Sequence, residues 1–421
     1  MRPKKRDVCV AGGETQILKK NIFLNTSGVF CYFFFQWLIS ILVVRIAGFR
    51  EAGVYSLSFS FANIFLIIAN FGVIRYQLSD IQRRYTDGVY FATRAVTCLA
   101  ALLLGVLTLF FTGFTSYTVM CCAAMLCFKL LESITDVFFG ALQRFDRFGA
   151  INLSYILKGV FPVAAFCVAL YYKNLFFATV ALSAAYALVV ALFDIPAVIR
   201  DKNLVSSVAL KDIPRVLFAC FPLALITVVY PYMAFIARYT VNQLYSAEEL
   251  GYYSSVTLLI AVMTTLGNSV WNVLIPHIAE RYHGKEYGVL KKIIAKIIGI
   301  VMLAGAFLVL AGLALGEWAL ALVFGEKILP YCYLLRPTFI VSTIWTLASF
   351  FNASLTAFEK RIPPLVCNMA GVVVCTALVR PFVQAYGMIG ACYCLIAGMG
   401  AQAVSLLICL SAALRPRRRF R

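Results

Sequence analysis

The stretch "NIFLNTSGVFCYFFFQWLISILVV", residues 21–44, continues for the length of a membrane crossing without one charged side chain. A helix needs about 20 such residues to cross roughly 30 Å of hydrocarbon. A second uncharged stretch, "FATVALSAAYALVVALF" at residues 177–193, has the same character. Neither shows the alternation of apolar and polar residues that a transmembrane barrel requires. These stretches predict membrane-spanning helices.

The composition of the whole chain supports this prediction. Of the 421 residues, 62% are hydrophobic and 13% are charged, and the mean hydropathy is +0.90. A soluble domain is about 45–50% apolar and about 25% charged. The 14 cysteines lie mostly inside apolar runs such as "CCAAMLC", residues 121–127, where Cys acts as a small hydrophobic residue. No CxxC zinc pair occurs, so we predict no redox or metal role for the cysteines and no cofactor.

About twelve apolar segments of spanning length follow one another, and we predict a transmembrane helix for each. Their approximate limits are 22–45, 53–75, 89–112, 117–139, 150–171, 174–197, 216–238, 251–275, 292–314, 331–356, 363–383 and 387–413.

We therefore predict an all-α polytopic membrane protein with about 12 transmembrane helices in two parallel six-helix bundles. The bundles are expected at residues 22–200 and 216–413, joined by a cytoplasmic linker at 201–215. A basic cytoplasmic N-terminus at 1–21 precedes them, and a basic cytoplasmic tail at 414–421 follows them.

The basic residues predict the orientation, because Lys and Arg concentrate in loops on the cytoplasmic side. With both termini inside, 25 of the 37 Lys and Arg residues lie in inner segments and five lie in outer ones. The net charge of +19 is thus mainly a topology signal. No soluble segment is large enough to form a basic face, so we predict no nucleic-acid partner.

A short motif occurs twice, as "REAGVYS" at residues 50–56 and as "EELGYYS" at residues 248–254. The copies join predicted spans 1 and 2 and predicted spans 7 and 8. Because six spans separate equivalent positions, the halves start from the same side and are parallel repeats about an axis along the membrane normal. Coincidence is the alternative, since four matched positions prove little alone. Two facing halves are typical of alternating-access transporters.

Several stretches resemble the polysaccharide transporters, the Wzx-type O-antigen flippases of the multidrug/oligosaccharidyl-lipid/polysaccharide exporter superfamily. In the first half these are "VVRIAGFREAGVYSLSFSFANIF" leading to "NFGVIRYQLSDI", and "GALQRFDRFGAINLSYILKGV" after span 4. In the second half they are "LYSAEELGYYSSVTLLIAVMTTLGNSVWNVLIPHIAERY", "LVFGEKILP" and "NASLTAFEKRIP".

This resemblance implies a V-shaped pair of six-helix bundles in the bacterial inner membrane. It also implies a flippase that moves an undecaprenyl-diphosphate-linked oligosaccharide from the cytoplasmic to the outer leaflet. The partners are then the lipid-linked glycan and membrane lipids, with a polysaccharide polymerase and glycosyltransferases as candidate protein partners. We expect a functional monomer, powered by a proton gradient, a sodium gradient or the membrane potential.

Ionisable residues inside spans are costly and are functional candidates by default. Lys129 lies about twelve residues into span 4, roughly 18 Å from its outer end. Glu132 and Asp136 follow at i+3 and i+7 on the same helical stripe. We predict that Lys129 holds the diphosphate and that Glu132 or Asp136 binds and releases a coupling cation. An internal Lys129–Glu132 ion pair that fixes helix packing is the alternative.

Four arginines are further candidates for substrate binding. Arg45 and Arg238 end the first span of each half and would form an outer cationic rim, although snorkelling to the interface explains them at least as well. Arg75 lies toward the inner end of span 2, as Lys158 does in span 5, and positive-inside placement also accounts for both. Arg336 lies in the outer part of span 10 with no acid within one turn. Asp194 is expected to pair with Arg200 or to cap its helix.

Two other functions compete with a flippase. A multidrug or small-solute exporter of the same superfamily would be expected to present an acidic, aromatic pocket, whereas basic residues outnumber acidic ones inside these spans. A membrane-embedded polymerase or ligase would need an acid, base or Arg–His constellation on a long outer loop, and the outer segments are short and lack His. We therefore predict a transporter and no enzyme, with no catalytic residue.

Overall fold

A computed structural model describes residues 5–80, 84–172, 174–200, 209–360 and 362–414. Within these ranges the chain is helical, with turns between helices and no strand. The linker predicted at 201–215 and the tail predicted at 414–421 lie largely outside the described residues. The helices are α1 (Lys5–Asn70), α2 (Val73–Ser79), α3 (Asp87–Leu109), α4 (Ser116–Arg144), α5 (Phe148–Tyr172), α6 (Leu175–Val189), a π-helical segment (Val190–Asp194), α7 (Ile195–Ile199), α8 (Ile213–Thr227), α9 (Val229–Leu244), α10 (Ala247–His283), α11 (Tyr287–Phe324), α12 (Leu335–Ala357), α13 (Ile362–Tyr386) and α14 (Met388–Ala413), with 3₁₀ segments at Leu210–Asp212 and Glu326–Leu334.

The predicted fold class is confirmed: each of the twelve predicted spans lies on helical chain. Nine helical segments of the described residues are long and apolar enough to cross a membrane. One of them, Phe23–Leu78, has 56 residues and includes the first two predicted spans. The interruption between these spans is at Gly48, whose φ of 86° breaks the helical geometry of α1. A residue without Cβ reaches that backbone region at no steric penalty.

The chain divides into two compact units. Unit 1 contains Met1–Leu42 and Phe61–Ala224, and unit 2 contains Val43–Ser60 and Leu225–Arg421. The segment around the first copy of the repeated motif thus belongs to unit 2, and residues 216–224 belong to unit 1. The predicted bundle boundaries stay a prediction.

Within unit 2, the two copies of the repeated motif pack directly against each other. The Ser56 hydroxyl donates to the Ser254 hydroxyl at 2.6 Å. A Cβ on Gly53 would overlap the Ala247 carbonyl, and a Cβ on Gly251 would overlap the Phe49 carbonyl. The two glycines therefore allow backbone-to-backbone contact at equivalent positions of the repeat, as small residues do between membrane helices.

Arg45 stabilises the end of a helix in the same unit. Its Nε donates to the Val323 carbonyl at 2.7 Å, and its Nη2 donates to the Leu322 carbonyl. These are carbonyls of the last turn of α11, which ends before Gly325 at a φ of 92°. A guanidinium there satisfies free carbonyls and complements the negative end of the helix dipole.

A set of hydrogen bonds to Asp80 holds the turn between α2 and α3 in unit 1. The Asp80 carboxylate accepts from the Arg84 amide at 2.9 Å and from the Tyr85 amide at 3.1 Å. It also accepts from the Tyr90 hydroxyl at 3.0 Å. Arg144, at the end of α4, donates to the Asp80 carbonyl at 3.2 Å. The turn is therefore tied to α3 and α4.

The hydrogen bonds to the Asp80 carboxylate make part of the protein's stability pH-dependent. Burial by itself raises the pKa of Asp80, but the amide and hydroxyl hydrogen bonds and the nearby Arg144 charge outweigh it, so the pKa lies below its ordinary value. A carboxylate with a lowered pKa contributes stability that is complete above its unfolded pKa of about 3.9 and is lost as pH falls through the folded pKa.

Below about pH 4, we expect acidification to lower the melting temperature of the unchanged, detergent-solubilised protein more steeply than that of the Asp80→Asn variant. Other carboxylates titrate in the same range, so the difference between the two proteins is the measured quantity. Glu280→Gln, which changes an exposed carboxylate on α10, is the matched control and should keep the steep dependence. Parallel curves for Asp80→Asn and the unchanged protein would contradict the prediction.

Candidate functional site

Helix α4 carries the charged core of unit 1. It begins after Thr115, whose extended backbone lets its hydroxyl accept from the Thr118 amide as a helix cap. In the middle of α4, the charged or polar side chains at positions 129, 132, 133 and 136 recur at intervals of three and four residues. This spacing places them on one face. Among the described residues, three cation–carboxylate pairs lie on or beside this face, and a fourth, Arg144 with Asp87, lies at the end of α4.

The first pair is Lys129 with Glu132. Lys129 Nζ lies 2.6 Å from Glu132 Oε2, and the side chains are 5% and 12% exposed. The Tyr32 hydroxyl donates to the other oxygen of Glu132, and Gln36 Nε2 donates to Tyr32 at 3.2 Å. Lys129 Nζ also lies 5.2 Å from the centre of the Phe128 ring. A buried ion pair is tolerated when further hydrogen bonds satisfy its atoms, as they do here.

The second pair is Arg94 with Asp136, in which Arg94 Nη2 lies 3.3 Å from Asp136 Oδ2. Arg94 Nη1 donates to the Ala69 carbonyl at 2.7 Å, to Asn70 at 3.0 Å and to Ser133 at 3.1 Å. The Arg94 side chain is 1% exposed, whereas that of Asp136 is 31% exposed. The guanidinium is thus fixed by protein groups, while the carboxylate keeps open surface.

The third pair is Lys158 with Asp194, and both side chains are fully buried. Ser154 Oγ donates to Asp194 at 2.6 Å, and Lys158 Nζ also donates to Thr135 at 3.2 Å. The ammonium lies 4.7 Å from the Phe139 ring centre and 5.0 Å from that of Tyr186. Charge and ring contacts together hold this cation.

Asp194 lies at the end of the π-helical segment Val190–Asp194. The wider turn of a π-helix changes the direction of the side chains that follow, and such segments are frequent at functional sites. The expectation that Asp194 pairs with Arg200 or caps its helix is wrong, because its partners are Lys158 and Ser154 on α5.

The predicted site residues therefore fall into two sets. Lys129, Glu132 and Asp136 lie together in unit 1, and Arg75 is exposed but close enough to Asp136 for an electrostatic interaction. Arg45, Arg238 and Arg336 belong to unit 2.

The arginines Arg238 and Arg336 of unit 2 differ in their surroundings. Arg238 is partly buried and donates from Nη1 to Ser60 at 2.9 Å, while its Nε has no hydrogen-bond partner within the described residues. Arg336 is exposed and forms no ion pair with any residue that the structure describes.

Sequence reasoning missed Arg94 and underrated Lys158. Both are ionisable residues inside spans, which is the signal that identified Lys129. Their partners, however, lie on other helices and far along the chain, so spacing alone does not reveal the pairs. Within the part of the chain that the structure describes, no three His, Cys, Asp or Glu side chains group as metal ligands.

Comparisons with known proteins give a match only at the level of structure. No family model matches the sequence, and no curated protein matches it significantly. Among solved structures, an inward-facing multidrug resistance MATE family transporter of the MOP superfamily aligns with a TM-score of 0.74 at 14% identity. That alignment covers 91% of this chain and 96% of the transporter.

The lipid II flippase MurJ in an inward closed conformation aligns with a TM-score of 0.73 at 13% identity, covering 93% of this chain and 87% of MurJ. The Vibrio cholerae MATE transporter VcmN in its bent form aligns with a TM-score of 0.60 at 12% identity, covering 95% of this chain and 98% of VcmN. This chain has their fold. At such low identity the likeness extends to architecture alone, and function is inferred from the residues.

Proposed function

We propose that this protein is a flippase that moves an undecaprenyl-diphosphate-linked oligosaccharide from the cytoplasmic to the outer leaflet of a bacterial inner membrane by alternating access. The repeat unit of O-antigen or of another surface polysaccharide is the proposed cargo. The observation that carries the proposal is a buried lysine, Lys129, on a membrane-spanning helix. The chain to which this helix belongs shares its fold with transporters. One of those transporters is named a lipid II flippase.

The charges of the cargo and of the site are complementary. A diphosphate cannot enter hydrocarbon without cationic partners, because desolvating a charge costs far more than a bilayer tolerates. Within unit 1 the proposed partner is Lys129. Within unit 2, considered by itself, the proposed partners are Arg238 and Arg336. Arg238 Nε is buried and has no hydrogen-bond partner among the described residues, so a phosphate oxygen that reached it would satisfy its proton. Arg75 would assist at the inner end, and Arg45 keeps a secondary role because α11 carbonyls occupy it.

Glu132 and Asp136 are the proposed coupling carboxylates. Glu132 is bound to Lys129, so an arriving phosphate would compete for the same ammonium. Release of Glu132 from Lys129 would then favour its uptake of a proton or sodium ion. Asp136 keeps open surface beside Arg94 and is the second candidate. This exchange of partners links cargo binding to cation binding.

The decisive variants are Lys129→Gln and the double variant Lys129→Gln/Glu132→Gln. The single change leaves a buried carboxylate unpaired, so it is expected to lower both stability and surface polysaccharide. The double change removes the ion pair with nearly unchanged volume, so it should fold. If Lys129 binds the diphosphate and Glu132 couples transport to a cation, the folded double variant still loses at least tenfold of the surface glycan, measured in a deletion strain by glycan gel and lectin staining.

The matched control is Lys292→Gln, which neutralises an exposed lysine of α11 and should leave surface glycan unchanged. Full activity of the double variant would mean that Lys129 and Glu132 only fix helix packing, and the diphosphate role would be withdrawn.

A multidrug or small-solute exporter is the second candidate function. It is favoured by the structural likeness to a multidrug resistance MATE transporter and by the two carboxylates on α4. The phenotype of a deletion strain separates the two. Lipid-linked repeat units trapped in the cytoplasmic leaflet support the flippase, whereas normal surface glycan with heightened sensitivity to cationic dyes supports the exporter.

A further inference from the structure

Two pairs of cysteines face each other across α13 and α14 in unit 2. The Cys375 and Cys394 sulfurs are 3.2 Å apart, and the Cys367 and Cys409 sulfurs are 3.7 Å apart. All four are free thiols. The sulfur atoms of each pair are therefore in contact without a bond.

Small and polar residues between the two pairs bring the helices close together. A Cβ on Gly371 would lie 2.9 Å from the Gly398 carbonyl oxygen. Gln402 Nε2 donates to Asn368 Oδ1 at 2.7 Å in the same seam. Small residues facing each other let membrane helices approach at backbone distance. A disulfide requires closely spaced Cβ atoms, and such an approach provides them.

We propose that these two pairs are an oxidative modification site, at which a two-electron thiol oxidant such as hydrogen peroxide closes reversible disulfides between α13 and α14. One thiol attacks the peroxide, the O–O bond breaks, and a sulfenic acid and water form. The facing thiol then attacks the sulfenic sulfur, the S–O bond breaks, and a second water leaves. Two thiols are oxidised, and one peroxide is reduced to two waters.

The two pairs differ in access. Cys409 lies close to the end of α14 and is partly exposed, whereas Cys367, Cys375 and Cys394 are buried. A small uncharged oxidant reaches Cys409 first, so the Cys367–Cys409 pair closes faster. The inner pair closes more slowly, although its sulfurs are nearer.

The consequence is a covalent joint between two helices of unit 2. Each disulfide closes a loop that includes the turn between α13 and α14 and so restricts the unfolded chain. The oxidised protein is expected to melt several degrees higher than the reduced protein. A dithiol reductant reverses the shift. The inference does not depend on the cargo that the protein carries.

The sequence allows a direct test in the full-length protein. The purified protein is treated with diamide, which oxidises thiols by two electrons and spares methionine, and the remaining thiols are alkylated. Cyanogen bromide then cleaves after Met369, Met388 and Met399, which places the four cysteines on four separate fragments. Mass spectrometry should find two linked products that dithiothreitol separates, namely 303–369 with 400–421, and 370–388 with 389–399.

Neighbouring cysteines supply the controls. Fragment 389–399 also contains Cys392, and fragment 303–369 also contains Cys332. Cys394→Ala must abolish the inner product and Cys392→Ala must retain it, while Cys409→Ala must abolish the outer product and Cys332→Ala must retain it. The absence of both linked products, or their persistence in Cys394→Ala and Cys409→Ala, overturns the proposal.

Discussion

Asp194→Asn is expected to destabilise the protein by about 3–5 kcal/mol, because it leaves the buried ammonium of Lys158 without its counter-charge. The two side chains are almost completely inaccessible, so water cannot replace the lost carboxylate. Lys158→Met is expected to lower stability by a similar amount, since it leaves the buried Asp194 carboxylate without its counter-charge. Folded yield after detergent extraction and the midpoint of thermal unfolding measure both effects.

The double variant Lys158→Met/Asp194→Leu distinguishes the loss of a charge pair from the loss of packing. Replacing both members of a buried pair by apolar groups is often neutral or stabilising. We therefore expect the double variant to regain most of the stability that either single variant loses. The surface pair Arg215–Asp212 is the matched control, because the Arg215 side chain is 70% exposed. Asp212→Asn should change stability by less than about 1 kcal/mol. An equal effect of Asp194→Asn and Asp212→Asn would refute this account of the pair.

Gly251→Ala is expected to be among the most damaging single methyl additions in unit 2. The new Cβ would overlap the Phe49 carbonyl, which is backbone and cannot rotate away as a side chain can. Overpacking usually costs about 1–3 kcal/mol and occasionally more. We expect at least the upper end of that range, together with loss of transport, because the added methyl forces the two copies of the repeated motif apart. Gly53→Ala should behave in the same way against Ala247.

Gly299→Ala is the matched control for this prediction. Gly299 lies inside α11, and a Cβ there meets nothing within 4 Å. Replacing an unhindered helical Gly by Ala stabilises a helix by roughly 0.5–1 kcal/mol. The two substitutions add the same methyl group. Opposite signs of their effects on stability would therefore report the contact with the Phe49 carbonyl and not the added methyl itself. A Gly251→Ala protein that melts like the unchanged protein would show that the repeat contact is not tight.

The repeated motif shows how sequence and structure support each other. In the sequence, four matched positions in seven indicated a repeat but could also arise by chance. In the structure, Ser56 and Ser254, which occupy equivalent positions, form a hydrogen bond with each other. The glycine of each copy meets the backbone beside the other copy. Equivalent contacts from both sides are what two copies related by a local two-fold axis produce.

The ion pairs of unit 1 fall into two groups, according to how many residues separate the partners in the sequence. Lys129 and Glu132 are three residues apart on one helix, so their pairing was a stated alternative from the sequence. Asp136 pairs with Arg94, which is 42 residues away, and Asp194 pairs with Lys158, which is 36 residues away. These partners meet only because α3, α4, α5 and the π-helical segment pack together with particular rotations.

The sequence by itself determined that this protein is a chain of membrane helices and where each helix lies, and it indicated that its two halves repeat. Those properties follow from local hydrophobicity and from periodic spacing, which neighbouring residues carry. Only the tertiary structure decided which buried charges are neutralised by which partners, and that residues 43–60 pack with the second half. Such pairings depend on the rotation and depth of each helix against its neighbours, and many distant side chains set these together.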